Sequence, residues 1–87
     1  GTSHWLGIDV HDVGNYKQNN KSTILKPGMV FTVEPGIYFG ENIKNIPQKY
    51  KNIGIRIEDN ILVTESSHKI LSNNIPKEIT DIERILK

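Results

Sequence analysis

The stretch NIGIRIEDNILVTES, residues 52–66, contains the clearest strand pattern in the chain. Ile53, Ile55 and Ile57 alternate with small or charged residues, so that they share one face of an extended segment. After the Asp-Asn pair that follows, the run 61–64 either continues this strand or pairs back on it as a second one. The stretch therefore predicts a protein built on antiparallel β-sheet.

The segments upstream of this stretch divide into strands and loops. Residues 29–38 form a second run of strand length, rich in β-branched and aromatic side chains, and Glu34-Pro35-Gly36 interrupts it. Residues 3–11 are predicted to be extended. The polar, turn-rich segments 14–23 and 40–52 are predicted to be loops.

A helix is predicted at the end of the chain. Four apolar residues recur there at the spacing of one helical face: Ile75, Ile79, Ile82 and Leu86. Thr80 and Glu83 have the spacing of a capping box, and Arg84 and Lys87 place positive charge where it suits a helix C-terminus. Three or four strands with one terminal helix predict an α+β fold.

Composition excludes several classes of function. A chain of 87 residues allows one domain with a thin core, because a domain of this size buries only a little over roughly 60% of its unfolded surface. The net charge is +1 with scattered lysine and arginine, which argues against a nucleic-acid partner. No run approaches the roughly 18 apolar residues of a membrane span. Without cysteine there is no disulfide or thiolate chemistry, and we expect a cytoplasmic protein.

Two glutamates occupy strand positions where an ionised side chain is costly unless it is paired or binds a metal. Glu34 is held extended by Pro35, which follows it and lacks a backbone donor. Glu58 lies beside Arg56, opposite the isoleucine face. Taken one at a time, a solvated strand end explains Glu34 equally well. An ordinary surface pair explains Glu58 and Arg56 better than a site does.

Two histidines lie seven positions apart in SHWLGIDVHDVG, residues 3–14. A regular strand would place His4 and His11 on opposite faces. They converge only if the chain bends, for which Gly7 is the natural position, and otherwise His11 approaches from a loop. One imidazole and the two glutamates would suit Mn²⁺, Fe²⁺, Co²⁺ or Zn²⁺. The residues alone therefore predict a candidate metal site.

Three ordered blocks, SHWLGIDVHDVG, LKPGMVFTVEPGIY and GIRIEDNILVTE, resemble the signature blocks of the bacterial aminopeptidase P family. These Xaa-Pro aminopeptidases are members of the pita-bread metallopeptidase superfamily, which also contains prolidases and methionine aminopeptidases. The tail HKILSNNIPKEITDIERIL is similar as well, so that the resemblance covers essentially the whole chain. It implies the antiparallel-sheet C-terminal part of a pita-bread fold, ending in a helix.

The resemblance assigns a role to each candidate residue. His4, Glu34 and Glu58 match metal ligands of the family, with Glu34 also the proton shuttle and Glu58 the bridge between two metals. His11 matches a histidine that is thought to hydrogen-bond the substrate near the scissile bond. Arg56 matches the arginine that orients the metal-binding carboxylates. We therefore expect catalytic roles for His11, Glu34 and Arg56.

The implied reaction is removal of an N-terminal residue from a peptide whose second residue is proline. Two divalent ions, typically Mn²⁺, would activate a water molecule for attack on the carbonyl before proline. One alternative is an Xaa-Pro dipeptidase, a prolidase, although the run Ser3-His4-Trp5 favours the aminopeptidase. Another is a non-catalytic pita-bread binding module, which would usually have lost the ligands that this chain keeps.

The resemblance also implies that residues 1–87 are the C-terminal portion of the catalytic domain. The family's site includes two aspartates that have no counterpart here, so that the chain would supply three of five protein ligands. We expect the rest of the catalytic domain to be its partner and the whole protein to form a homo-oligomer. We expect the 87 residues alone to be inactive.

Overall fold

The computed structural model describes all 87 residues and has seven short strands, one 3-10 helix and one α-helix. The strands are β1 (Lys17–Gln18), β2 (Lys21–Ser22), β3 (Val30–Val33), β4 (Gly36–Phe39), β5 (Ile53–Arg56), β6 (Asp59–Val63) and β7 (His68–Ile70). The helix α1 spans Ile79–Leu86, and the 3-10 helix spans Gln48–Tyr50. All strand pairs are antiparallel. The predicted α+β class is confirmed.

The largest sheet has three strands in the order β3-β6-β7. The N-terminal residues 2–6 run antiparallel along the free edge of β3. Two backbone hydrogen bonds hold them there: the amide of Thr32 donates to His4 at 2.9 Å, and the amide of Glu34 donates to Thr2 at 2.8 Å. This edge pairing brings the first histidine next to the strand that leads to the first glutamate.

The second sheet is a ribbon of β4 and β5, in which Gly36 lies opposite Arg56. The prediction that the run 61–64 extends the isoleucine strand or pairs with it is wrong, because β6 pairs with β3 and β7 instead. The two long runs pair with each other, and both break at the same level. Pro35 lacks a backbone donor, and the chain opposite it leaves the ribbon at residues 57–58. The ribbon therefore ends where the three-stranded sheet begins.

The predicted loop 14–23 contains a hairpin of β1 and β2. Its turn residues Asn19 and Asn20 have φ angles of 52° and 63°, as a two-residue turn of type I′ requires. The predicted loop 40–52 contains the 3-10 helix. These elements and β7 are not predictable from the residues, because strands of two or three mostly exposed residues have too little hydrophobic alternation to detect.

The helix α1 is shorter than its apolar spacing predicts. Ile75 lies in the turn before it, and Glu78 occupies the N-cap with no side-chain hydrogen bond. The predicted capping box is wrong, because Thr80 is already inside the first turn and cannot cap it. Arg84 does lie in the last turn, where the helix dipole favours a cation.

The chain has almost no core of its own. Thr32 is its one buried residue, and no apolar side chain is buried. The radius of gyration is 16.9 Å, compared with about 12 Å for a compact domain of this length. The isoleucine face of β5 is exposed, and so is the apolar face of α1. These faces need a covering surface to be stable in water. No helix has both the length and the apolar composition to cross a membrane.

Candidate metal centre

His4, Glu34 and Glu58 form one cluster at the junction of the two sheets. One ligand atom from each lies within 4.8 Å of the others, and His4 Nε2 is 3.2 Å from Glu34 Oε2. The three residues that the sequence singled out are therefore brought together, and each arrives from a different segment of the chain.

Strand pairing explains why the three side chains meet. Glu34 directly follows β3, and Glu58 directly precedes β6, whose first residue Asp59 lies opposite Val33. His4 lies on the edge segment that pairs with the other side of β3. The end of β3 therefore lies between its two partners, and all three donors lie near it.

Thr32, the one buried residue, hydrogen-bonds two members of this cluster. Its side-chain oxygen accepts a hydrogen bond from the amide of His4 at 3.0 Å. Its side chain also hydrogen-bonds the carboxylate of Glu34, and this bond is the main reason why the pKa of Glu34 is lowered. Desolvation opposes the shift, while the positive charge of His4 in the metal-free, protonated form, the charge of Arg56 and a hydrogen bond with Glu58 add to it. Glu34 is therefore held in the ionised form that binds a cation.

Arg56 holds Glu34 from the other side. Its Nη1 donates to the main-chain carbonyl of Glu34 at 2.5 Å and lies 3.5 Å from Oε1 of the same residue. The guanidinium fixes the backbone and the carboxylate of Glu34 together. This arrangement suits the orienting role that the resemblance implies.

Tyr38 contributes to the site and was not predicted from the sequence. Its hydroxyl accepts a hydrogen bond from Arg56 Nε at 2.7 Å, and its ring lies 5.3 Å from the guanidinium carbon. Gly54 lies opposite Tyr38 in the ribbon, and a Cβ there would stand 2.1 Å from the ring. The missing side chain lets the tyrosine cross the ribbon to reach the arginine. The glycine was the only signal, and it can be interpreted only once the register is known.

His11 lies beside His4, at the edge of the cluster, because the chain bends after residue 6. The ring centroids of His4 and His11 are 4.3 Å apart. A Cβ at Gly7 would stand 1.9 Å from Asp12 Oδ2, so that glycine permits the close return of the chain. Of the two routes that the sequence left open, the structure has His11 approaching from a loop, because the extended segment ends at residue 6 and residues 7–11 form a series of bends. His11 is exposed, which leaves its ring accessible beside the cluster.

The donor set fits a divalent metal ion. His4 Nδ1 lies 2.9 Å from the carbonyl of Trp5, so that a proton on Nδ1 leaves the lone pair of Nε2 facing the glutamates. One imidazole nitrogen and two carboxylates suit Mn²⁺, Fe²⁺, Co²⁺ or Zn²⁺. A dinuclear centre needs more donors, and the chain has no second cluster of three.

Comparison with known proteins gives a consistent picture. A family model described as metallopeptidase family M24 matches residues 1–65. An Xaa-Pro aminopeptidase from Haemophilus influenzae is 58% identical over 86 residues, which are 99% of this chain and 20% of that protein. The solved structure of Pseudomonas aeruginosa aminopeptidase PepP superposes with a TM-score of 0.90 at 44% identity, covering 98% of this chain and 19% of that one.

Escherichia coli aminopeptidase P, solved with the inhibitor Pro-Leu, gives a TM-score of 0.87 at 50% identity and covers 99% of this chain and 19% of its own. The chain thus spans about a fifth of the length of the relatives that it matches.

Proposed function

Since the chain belongs to metallopeptidase family M24, we propose that it works as part of a metal-dependent Xaa-Pro aminopeptidase, which removes an N-terminal residue that precedes proline. The observation that carries this proposal is the convergence of His4, Glu34 and Glu58 within 4.8 Å. The relatives named above are aminopeptidases, which favours this function over a prolidase. An intact donor set argues against a non-catalytic module.

Metal ions would be held by His4, Glu34 and Glu58, and we propose Mn²⁺ as the resident ion. A divalent ion held there would polarise the substrate carbonyl and lower the pKa of water, so that hydroxide is available for attack near neutral pH. The Thr32 bond and the Arg56 charge keep Glu34 ionised, so that its carboxylate can accept a proton. That proton is then available for the departing proline nitrogen, which makes Glu34 the general base and acid.

His11 is proposed to contact the substrate. Its exposed ring stands beside His4, where a ring N–H can donate to the peptide carbonyl and stabilise the negative charge that develops there. Arg56 has a different task, because it holds Glu34 through two hydrogen bonds. We assign it to orientation of the base rather than to contact with the peptide.

The rest of a catalytic domain is the partner that we propose for this chain. Three observations support it: the relatives are about five times as long, the apolar faces of β5 and α1 are exposed, and the cluster supplies only three donors. We further propose a cytoplasmic homo-oligomer for the whole protein.

A grafted enzyme tests the proposed function. Residues 1–87 replace the 86 residues that they match in the H. influenzae aminopeptidase, and release of the first residue from an Xaa-Pro-Xaa tripeptide is measured with added Mn²⁺. We expect activity within about tenfold of the host, since the donor set is retained. A folded grafted enzyme that cleaves an Xaa-Pro dipeptide but no tripeptide would support the prolidase instead, and one that cleaves neither would contradict the proposal.

Replacing Thr32 with valine in this grafted enzyme is expected to weaken both fold and site. The amide of His4 loses its acceptor, which typically costs about 1–3 kcal/mol for a buried donor. The pKa of Glu34 rises, because its largest lowering cause is removed. Since ligands must be deprotonated to bind metal, Mn²⁺ binding is expected to fail at a higher pH than in the unsubstituted enzyme.

The control is Thr32→Ser, which keeps the hydroxyl. Thermal unfolding and Mn²⁺ titrations between pH 4 and pH 8 on both variants check this prediction. In the unsubstituted enzyme the lowered pKa of Glu34 stabilises the fold above the ordinary pKa of glutamate, and this contribution is lost as the pH falls through the lowered value. Identical acid limits for the valine and serine variants would contradict the role of Thr32.

A further inference from the structure

A second cluster of polar side chains begins at Asp59, the residue that follows Glu58. Ser72 Oγ donates to Asp59 Oδ1 at 2.6 Å, and Lys77 Nζ lies 3.0 Å from the same oxygen. The amide of Asn60 donates to Ser72 Oγ at 3.0 Å. These contacts join the start of β6 to the turn that precedes α1.

All three N–H donors of the Lys77 ammonium group have an acceptor in this cluster. Besides Asp59 it donates to the carbonyl of Ser72 at 3.3 Å and to that of Ile75 at 2.9 Å. Three donors thus meet three acceptors. The Asp59 and Lys77 side chains are 23% and 25% exposed, so that the pair is sheltered more than an ordinary surface ion pair.

The hydrogen bonds of this cluster suit a structural role rather than a catalytic one. A serine nucleophile needs a base to take its proton and a lone pair aimed at the substrate. The proton of Ser72 is donated to Asp59 and its oxygen accepts from Asn60, while Lys77 has no free donor. No group is left to attack or to transfer a proton.

Glu58 depends on its neighbours for its position. It lies in the two-residue link between β5 and β6, which are members of different sheets. On the near side the amide of Ile57 donates to the carbonyl of Pro35 at 3.2 Å. On the far side the first fixed group is Asp59, whose carboxylate contacts Ser72 and Lys77 and is not a member of the metal cluster.

We propose that Asp59, Ser72 and Lys77 form a positioning clamp that sets the carboxylate of Glu58 in the metal centre. The inference rests on the proposed function and deepens it, because it assigns a purpose to the turn before α1, outside the residues 1–65 that match the family model. The three are positioning residues, since they act on the ion through Glu58. Metal ligands commonly need such outer support, whose loss lowers metal affinity about 10–100-fold.

The test measures Mn²⁺ binding to the grafted enzyme by electron paramagnetic resonance of free Mn²⁺, together with thermal unfolding of the metal-free protein. We expect Lys77→Met to raise the Mn²⁺ Kd by at least about tenfold, and Ser72→Ala to raise it in the same direction. Lys77→Arg keeps a cation that can reach Asp59 and should restore most of the affinity. Lys69→Met is the matched control, because Lys69 is exposed on β7 and makes no ion pair.

A purely structural role would lower the unfolding temperature and leave the Mn²⁺ Kd unchanged. If the Mn²⁺ Kd values of Lys77→Met and Ser72→Ala equal that of the Lys69→Met control, the proposed positioning role is wrong. Ser72→Ala removes a single oxygen and keeps the test decisive if Lys77→Met does not fold. Mn²⁺ binding is measured without any catalytic turnover. An unsubstituted grafted enzyme that binds Mn²⁺ but releases no N-terminal residue would therefore contradict the proposed function. The Mn²⁺ Kd values of the variants would still test the positioning clamp in that case.

Discussion

Glu34→Gln in the grafted enzyme is expected to lower kcat by about 10²–10⁴-fold, the range typical for loss of a general base. Glutamine keeps the shape of the side chain and removes the charge that His4 and Arg56 face. It can neither accept a proton nor compensate a divalent ion. The loss should therefore appear in kcat even at saturating Mn²⁺, and the Mn²⁺ Kd should rise as well.

Glu58→Gln is expected to reduce activity to a similar extent by a different route. Glu58 is one of the three candidate metal ligands in the cluster. Glu58→Gln therefore leaves only two of them charged or basic enough to hold the ion. We expect the Mn²⁺ Kd of this variant to rise and excess Mn²⁺ to recover part of its activity. Added Mn²⁺ should not rescue Glu34→Gln to the same degree, because that variant also lacks its base.

The matched control is Glu65→Gln, which removes the same charge from an exposed position with no ion pair. Steady-state kinetics at several Mn²⁺ concentrations distinguish the three variants. If Glu34→Gln or Glu58→Gln keeps activity within about tenfold of the control, the assignment of that glutamate is wrong.

The second large effect concerns the 87 residues on their own. We expect no detectable Mn²⁺-dependent release of an N-terminal residue from an Xaa-Pro peptide by the purified chain. Three donors at one cluster do not complete a two-ion centre, and the exposed apolar faces leave the fold without the covering that would hold it. The rest of the catalytic domain would supply both the missing metal ligands and the covering surface.

Adding the remaining part of the H. influenzae aminopeptidase as a separate polypeptide is expected to restore activity. That part should supply the missing donors and cover β5 and α1, with apolar burial as the driving force. Coexpression of the two pieces, followed by the tripeptide assay, checks the prediction. The matched control carries Glu34→Gln in residues 1–87 and should assemble without regaining turnover. Activity of the purified chain alone would contradict the partner that we propose.

The sequence was most informative where the physical signal is local. Alternation of isoleucine with polar residues predicted β5, and the missing donor of Pro35 predicted the break between β3 and β4. Apolar spacing predicted α1, although not its first residue. The short hairpin of β1 and β2 was not predicted, because its turn is recognised only from the positive φ angles of Asn19 and Asn20.

The candidate site required more than local signals. Each of His4, Glu34 and Glu58 was unusual alone, yet an ordinary surface role was equally or more plausible for the glutamates taken singly. The resemblance of three ordered blocks connected them, and the structure then brought their ligand atoms within 4.8 Å. Tyr38 and the clamp residues were missed, because their partners are fixed by strand register and by a turn that no periodicity reveals.

By itself, the sequence determined the α+β class and the strand break at Pro35, and it singled out His4, Glu34 and Glu58 as candidate metal ligands. Tertiary structure alone decided that β3 pairs with β6 while β4 pairs with β5, and that Asp59 pairs with Lys77. The physical reason is that backbone hydrogen bonds make one strand as good a partner as another. Alternation fixes which face a side chain takes, while long-range packing and charge pairing select the neighbour that it meets.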